Sequence, residues 1–500
     1  EIEMTLYEAL AQHLLVGSSH NGEIQIIDGK FPLRISYSDF AKKSFATAWY
    51  FKSKGLSKGS YAVIQTPSVL DFLFAFWGSI LVGAIPVPVA YSNDSQKNEK
   101  LESILKTLGK GFVLGDTITY SHKNFHHINI NLPDICDYEI SDVVSLSLPT
   151  EIAYIQFSSG STNSPTGVCL THADVLEHVK NFTKSTATTN SDKYLSWMPL
   201  SHDFGLVAMH IVPLVLGLDQ SIINTNLFVA RPTILLETAA REKSTFLSMT
   251  NFACEYVVTH AKRHDAAIDL RSIRVFFNGA EPINRKTMND FSAFVERKGA
   301  RQNAMTPAYG LAQATLVVCN IAPDVKPNWQ SVDFMSYEIG KPVRFLHCNE
   351  SISSTIDVVS VGQEIDGVNV SICDGFGKDL PSGFLGYIWI KGTSVAERIV
   401  TEKGLVEHLH DGWLNTGDIG FSHENHFYIT GRDSDLIKYR GSHLFSNDLE
   451  LMVSNLLGIS LAKVVVVASH FNGEERLICF VKSTKTNDEF AKEIIPFFNR

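Results

Sequence analysis

A loop rich in hydroxyl groups and glycine could bind phosphate. It follows an apolar run and consists of Ser158, Ser159, Gly160, Ser161, Thr162, Asn163, Ser164, Pro165, Thr166 and Gly167. Hydroxyls and backbone N–H groups in a tight turn can surround phosphate oxygens. The residue order does not match the P-loop of GTPases and ATPases, which requires Gly-Lys-Ser/Thr after four residues. A loop of this composition can also be a surface linker, so its composition alone does not distinguish a phosphate site from a linker.

Strand-like runs alternate with helix-length segments around this loop. The runs are residues 61–66, 84–90, 111–116, 151–157, 221–225, 245–249 and 273–279. This alternation predicts an α/β protein with layers around largely parallel sheets. From about Val359, short strands with glycine turns predict a small antiparallel or β-barrel-like subdomain. The predicted domains are two α/β subdomains, a small β subdomain and a small α+β C-terminal domain, at residues 1–175, 176–358, 359–431 and 432–500.

Composition excludes several classes of protein. A net charge of −10 over 500 residues argues against a nucleic-acid partner. The seven cysteines are scattered and never spaced as C-x-x-C, so we expect neither disulfides nor zinc, and a cytoplasmic location. Residues 72–90 carry no charge, but Gly83, Pro86 and Pro88 favour a buried helix followed by a strand. We therefore expect no membrane span.

Six segments in this order resemble the adenylate-forming superfamily of acyl-CoA synthetases, luciferases and peptide-synthetase adenylation domains. They are the loop and residues 197–206 (WMPLSHDFGL), 278–283 (NGAEPI), 308–315 (AYGLAQAT), 413–421 (WLNTGDIGF) and 428–441 (YITGRDSDLIKYRG). The resemblance covers essentially the whole chain. The phrases LSHDFGL, NFACEY at 251–256 and NGAEPI look most like the fatty acyl-AMP ligases. So does the long span between Ala322 and Val359, where that branch carries an insertion that hampers the closing movement needed for thioester formation with CoA.

The resemblance implies ATP-dependent activation of a fatty acid. ATP and Mg²⁺ would be required, acyl-AMP and pyrophosphate would form, and an acyl carrier protein of a polyketide, nonribosomal-peptide or lipid pathway would accept the acyl group. A fatty carboxylate is already ionised at neutral pH, so no strong general base is needed. The protein must instead bring two anions together and stabilise the leaving pyrophosphate.

The resemblance also assigns roles to residues. Tyr309 would stack on adenine, Asp418 would accept hydrogen bonds from the ribose, and Arg432 would contact the same sugar. The implied nucleotide-binding residues are Ser158, Ser159, Gly160, Ser161, Thr162, Thr166, Gly167, Gly279, Ala280, Glu281, Pro282, Tyr309, Gly310, Leu311, Ala312, Asp418, Ile429 and Arg432. The implied catalytic residues are His202, Arg432 and Lys438, and the implied substrate-binding residues are His202, Asp203, Gly205, Asn251 and Phe252. Thr162 and Gln313 are candidate magnesium contacts.

The sequence departs from the family pattern at several positions. Gln313 stands where a glutamate usually helps to coordinate magnesium, and Thr166 stands where many relatives carry a lysine. The terminal glycine-lysine motif is missing before Arg500, so we expect the terminal domain to be incomplete. Two alternatives therefore stay open beside the fatty acyl-AMP ligase: an acyl-CoA synthetase that uses free CoA, and a non-catalytic nucleotide- or lipid-binding relative. Gln313 is the best single argument for the latter.

Overall fold

A computed structural model describes most of the chain, at residues 4–15, 22–29, 31–91, 95–115, 123–130, 145–157, 165–261, 268–347, 350, 352, 354–439, 442–471 and 474–482. The α-helices are α1 (Leu6–Ala11), α2 (Tyr37–Ser53), α3 (Val69–Val82), α4 (Ser95–Leu108), α5 (His172–Ser185), α6 (Val212–Leu216), α7 (Thr225–Ala230), α8 (Ile234–Glu242), α9 (Asn251–Ala261), α10 (Arg285–Glu296) and α11 (Ser446–Leu457). Short 3₁₀ turns lie at Gln12–Leu14, Ala312–Ala314, Phe334–Ser336, Asp433–Asp435 and Leu461–Lys463, and a π-helical segment lies at Phe204–Ile211. The strands are β1 (Glu23–Ile27), β2 (Leu33–Ser36), β3 (Tyr61–Gln65), β4 (Ile85–Pro88), β5 (Gly111–Gly115), β6 (Phe125–Asn129), β7 (Ile152–Phe157), β8 (Gly167–Thr171), β9 (Tyr194–Ser196), β10 (Gln220–Ile223), β11 (Phe246–Met249), β12 (Val275–Asn278), β13 (Met305–Gly310), β14 (Val317–Asn320), β15 (Trp329–Asp333), β16 (Thr355–Val359), β17 (Gln363–Glu364), β18 (Val368–Cys373), β19 (Gly386–Gly392), β20 (Arg398–Thr401), β21 (Gly404–Glu407), β22 (Leu414–His423), β23 (His426–Arg432), β24 (Leu436–Tyr439), β25 (Ser442–Phe445), β26 (Val464–Phe471) and β27 (Glu474–Val481).

The largest sheet has nine strands in the order β17-β14-β13-β12-β11-β9-β10-β1-β2. Its six inner strands, from β13 to β1, pair in parallel, and the strands at both ends pair antiparallel. β11 and β12 are buried along their whole length, which explains their nearly continuous apolar sequences. The sheet takes β1 and β2 from the region predicted as the first α/β subdomain, and the predicted domain boundaries stay predictions.

A second sheet, β4-β3-β5-β6, is parallel throughout and confirms the α/β layering expected for the first part of the chain. The uncharged stretch at 72–90 folds as predicted. α3 ends at Val82 and is capped by Gly83, whose φ of 76° is left-handed, and β4 follows. In the part of the chain that the structure covers, no helix has both the length and the apolar character needed to cross a bilayer.

The last third of the chain is built from antiparallel sheets, as the sequence predicted. β18-β19-β22-β23 form one four-stranded sheet, and β20 and β21 pair with β8 and β7, from the first half of the chain, to form another. Among the described residues, β18 and β23 do not pair with each other, so β18-β19-β22-β23 form an open sheet and not a closed barrel. Beyond Arg432, the hairpins β24-β25 and β26-β27 flank α11 and form the α+β C-terminal domain.

One apolar cluster joins this C-terminal domain to the span between Ala322 and Val359. Val332, Phe334 and Tyr337 from that span belong to the same buried cluster as Phe445 and Leu449. The rings of Tyr337 and Phe445 meet edge to face at 6.0 Å between centroids. The two regions therefore share a core.

The π-helical segment begins directly after His202 and Asp203, and a buried polar chain holds it. Trp77 Nε1 donates to His210 Nε2 at 2.8 Å, so the neutral imidazole carries its proton on Nδ1 and donates to Gln220 Oε1 at 2.8 Å. Burial lowers the pKa of His210 to about 4, which is consistent with this neutral form. These hydrogen bonds from Trp77 to His210 and from His210 to Gln220 fix the π-helical segment against α3 and β10.

We expect Gly205→Ala to destabilise the fold by about 1–3 kcal/mol, because a methyl group there would overpack the start of the π-helical segment. It would overlap the Pro199 carbonyl and lie 2.8 Å from the Met198 carbonyl oxygen. Urea unfolding would measure the change. Gly375→Ala is the matched control, since a methyl group at Gly375 meets no atom within 4 Å of the described chain. Equal unfolding midpoints for the two variants would contradict this account.

Candidate active site

Residues from five of the six sequence segments surround one cavity of about 680 Å³. Among the predicted site residues, those that line it are His202, Asp203, Gly279, Ala280, Glu281, Pro282, Tyr309, Gly310, Leu311, Ala312, Gln313, Asp418, Ile429 and Arg432. The elements that meet here are distant in sequence. The structure thus brings most of the predicted positions together, while their individual roles stay predictions.

A buried carboxylate anchors one side of the cavity. Asp418 lies on β22 opposite Arg432 on β23, and it is 3% exposed. Arg432 Nε donates to its Oδ1 at 2.8 Å, and the Tyr309 hydroxyl donates to its Oδ2 at 2.5 Å. Burial raises the pKa of Asp418, and the Arg432 charge and the Tyr309 hydrogen bond oppose that rise. Because each carboxylate oxygen can accept twice, the group can still bind two further donors, such as the two hydroxyls of a ribose.

The loop after β12 also lines the cavity, and residues at the start of α9 support it through hydrogen bonds. Ala280 takes a left-handed backbone with φ of 71°, an uncommon conformation for a residue other than glycine. The N–H of Phe252, at the start of α9, donates to Glu281 Oε1 at 2.7 Å. The Asn284 N–H donates to Asn251 Oδ1 at 2.9 Å. These contacts hold the loop in the shape that lines the cavity.

Asn251 and Phe252 therefore contact the loop. The cavity wall, so far as the structure describes it, includes neither of them. The Phe252 side chain is 41% exposed and stacks on Tyr256 at 5.0 Å between ring centroids. Gly205 is buried under Met198 and Pro199. The predicted substrate-binding roles of these residues stay predictions.

His202 and Asp203 form a hydrogen-bonded pair on the cavity wall. His202 Nδ1 lies 2.6 Å from Asp203 Oδ1, which also accepts the Phe204 N–H at 2.8 Å. Burial would lower the pKa of His202, but the hydrogen bond and charge of Asp203 outweigh it and raise the pKa. Nδ1 is engaged with Asp203, so Nε2 is the nitrogen available to a ligand.

Several predicted residues lie elsewhere. Ser158, Ser159, Gly160, Ser161 and Thr162 lie outside the described residues. Thr166 precedes β8, which Gly167 begins, and Lys438 lies on β24. Gln313, by contrast, lines the cavity, and its backbone oxygen accepts the Ala396 N–H at 2.8 Å. Within the described ranges, no three His, Cys, Asp or Glu side chains come together as a metal site.

The sequence analysis missed cavity residues contributed by α4, by β16 and by the C-terminal domain. They include Lys100, Asp357, Asp435, Asn447 and Asp448. Asp448, on α11, is 4% exposed, and its Oδ2 has no hydrogen-bond partner among the described residues. Burial raises the pKa of Asp448 to about 8. Asp435 lies within the segment 428–441 but was not named as a site residue, and no motif marks the other four positions, because only the packing of distant elements brings them to the cavity.

The chain matches known proteins over most of its length. A sequence model of the family described as "AMP-binding enzyme" matches residues 18–399. The chain is 29% identical to the medium-chain-fatty-acid–[acyl-carrier-protein] ligase JamA of Moorena producens, over 89% of this chain and 79% of that protein. It is 27% identical to the long-chain-fatty-acid–AMP ligase FadD23 of Mycobacterium tuberculosis, over 85% of this chain and 76% of that protein.

A solved structure shows the same fold. The crystal structure of the fatty acid AMP ligase from Legionella pneumophila superposes with a TM-score of 0.79 at 23% identity, covering 99% of this chain and 88% of that one. At that identity the likeness establishes the α/β architecture with its large N-terminal and small C-terminal parts.

We expect Asp448→Asn to flatten the dependence of stability on pH. The folded-state pKa is about 8 and the unfolded value is about 4, so the contribution of Asp448 is complete below pH 4 and is lost as the pH rises to 8. The wild type should therefore lose stability relative to the variant between pH 5 and 8, by at most about 1.4 kcal/mol per pH unit. Denaturant unfolding across that range measures it. Asp290→Asn, at an exposed carboxylate paired with Lys286, should leave the pH profile unchanged.

Proposed function

Because the chain belongs to the AMP-binding enzyme family, we propose that it is a fatty acyl-AMP ligase. It uses ATP to convert a fatty acid to acyl-adenylate and releases pyrophosphate. The observation that carries the proposal is that the Asp418, Arg432 and Tyr309 cluster, the loop after β12 and His202 all line the same cavity. The names of JamA and FadD23, both fatty-acid ligases, support the fatty-acid substrate.

The proposed roles follow from the chemistry of the lining groups. Asp418 and Arg432 bind the ribose, and Tyr309 and residues 279–282 bind adenine. His202 orients the fatty carboxylate through Nε2. A carboxylate oxygen forms the new bond to the α-phosphorus while the bond from that phosphorus to the bridging oxygen breaks, and its electron pair leaves with pyrophosphate. Positioning and electrostatic stabilisation supply the catalysis, since the attacking group is already ionised.

Magnesium is the metal we propose for this site. The Gln313 amide on the cavity wall and Thr162 would hold it together with the phosphates of ATP, which suits an ion that usually takes few protein ligands. When bound, it would neutralise phosphate charge. A neutral amide oxygen contributes less to such a site than the carboxylate of a glutamate, so we expect the contact at Gln313 to be weak.

The shared apolar core favours the AMP ligase over the CoA synthetase. A large rotation of the C-terminal domain would separate Phe445 and Leu449 from Tyr337 and Val332. Exposing a buried side chain of this size costs about 1.5–3 kcal/mol.

We propose that an acyl carrier protein accepts the acyl group, as the name of JamA states for that relative. The cysteine usage of the chain supports a cytoplasmic location.

Mass spectrometry tests the proposal directly. The protein is incubated with ATP, magnesium and fatty acids of several lengths, with and without CoA. Acyl-AMP that accumulates and that CoA does not consume is the expected result. Formation of acyl-CoA would instead identify a CoA synthetase, and the absence of any adenylate would favour a non-catalytic binding protein.

We expect Asp418→Ala to weaken binding of AMP and ATP by roughly tenfold or more, because it removes a charged acceptor and leaves Arg432 without its partner. Tyr309→Phe keeps the aromatic ring and should cost less. Calorimetry with AMP measures both variants. Asp366→Ala removes an exposed carboxylate that pairs with Lys184 and is the control. AMP affinity unchanged in Asp418→Ala would remove Asp418 from the nucleotide site.

A further inference from the structure

The charge on the cavity wall is unusual for a site that accepts a polyphosphate. Its acidic side chains are Asp203, Glu281, Asp357, Asp418, Asp435 and Asp448. Asp357 pairs with Arg285, and burial raises the pKa of Asp448 to about 8, so Asp448 is mostly protonated at neutral pH. The lysine and arginine side chains of the described wall are Lys100 and Arg432. Arg432 is paired with Asp418, and His202 is paired with Asp203. Because Arg432 is committed to Asp418 and the wall carries more acidic than basic side chains, an uncommitted cation would stabilise the triphosphate of ATP there in addition to its magnesium.

Lys100 is that cation. Its side chain is exposed, and no described carboxylate pairs with it. It lies on α4 one turn before Ile104, and both residues line the cavity. Their helix is held in place, because Leu101 and Leu105 are buried in a cluster that also contains Phe157. Lys100 is thus presented to the cavity from a fixed element.

The position of Lys100 points to the phosphate end of the cavity. Gln156 and Phe157, at the end of β7, line the same cavity and directly precede Ser158 in the sequence. Asp418, proposed for the ribose, belongs to a different sheet. The loop that follows Phe157 contains no lysine. Thr166 stands at the position where many members of the superfamily carry a lysine. A cation from α4 can make up for that missing charge.

We propose that Lys100 contacts the outer phosphates of ATP and stabilises the pyrophosphate as it leaves. This inference rests on the proposed function and extends it to a residue outside the sequence motifs. A lysine ammonium is a compact charge with three donors and suits phosphate oxygens. As the bond to the α-phosphorus breaks, negative charge grows on the departing oxygen, and a fixed cation nearby lowers the energy of that state. The other anion that could use this charge is the fatty carboxylate, so the experiment separates the two.

The test compares Lys100→Met, Lys100→Arg and Lys106→Met in the whole protein. Lys106 lies on the same helix but pairs with Glu402, which makes it the matched control. Calorimetry is carried out with pyrophosphate, with a non-hydrolysable ATP analogue and with AMP. We expect Lys100→Met to weaken pyrophosphate and analogue binding roughly tenfold and AMP binding less than twofold. Lys100→Arg should retain most of the affinity, and Lys106→Met should match the wild type.

Kinetics completes the test. The KM for ATP should rise in Lys100→Met while the KM for the fatty acid stays unchanged. Equal loss of AMP and pyrophosphate affinity, no loss of either, or a rise confined to the fatty-acid KM would each overturn the assignment. If the wild type forms no acyl-adenylate with any acid, the proposed function fails. The calorimetric comparison then still decides whether Lys100 binds the phosphate anion.

Discussion

The hydrogen-bonded cluster of Asp418, Arg432 and Tyr309 is the interaction on which the geometry of the candidate site depends. A carboxylate that is 3% exposed must have partners, because an isolated buried charge is costly. Its partners come from two sheets, with Arg432 on β23 and Tyr309 on β13. A register shift between Ile419 and Gly420 accompanies the pairing of β22 with β23. The hydrogen bonds that Asp418 accepts from Arg432 and Tyr309 thus fix the sheet β18-β19-β22-β23 relative to the nine-stranded sheet.

The same cluster lies where the chain enters the C-terminal domain. Arg432 ends β23, and the turn Asp433–Asp435 leads directly into β24. The C-terminal domain then returns to the cavity through Asp448 on α11 and shares an apolar core with Tyr337. The nucleotide binding proposed for Asp418 would consequently be coupled to the placement of the C-terminal domain through these adjoining residues. The buried carboxyl group of Asp448, whose pKa is raised by burial, lies on the cavity wall because α11 packs there.

In the wall formed by the loop after β12, some residues line the cavity and others hold the loop in place. Ala280 has a strained backbone, and such a conformation persists only when its surroundings hold it. The Asn251 side chain, which accepts the Asn284 N–H, and the Phe252 N–H, which donates to Glu281, provide that support from the start of α9. A similar division applies to His202, which is oriented by Asp203 at the start of a π-helical segment that His210 fixes in the core.

Local patterns in the sequence determined the classes of element and the segments that carry the chemistry. The runs at 61–66 and 273–279 became β3 and β12, because apolar strands and helix-length segments are encoded by neighbouring residues. The motifs containing Asp418, Tyr309 and His202 were found through their resemblance to the adenylate-forming superfamily, because each is a short continuous segment of sequence. The tertiary structure alone decided that Tyr309 and Asp418, 109 residues apart, share a hydrogen bond, and that Lys100 and Asp448 reach the cavity. Such contacts depend on how whole sheets and helices pack, and no short-range pattern records that packing.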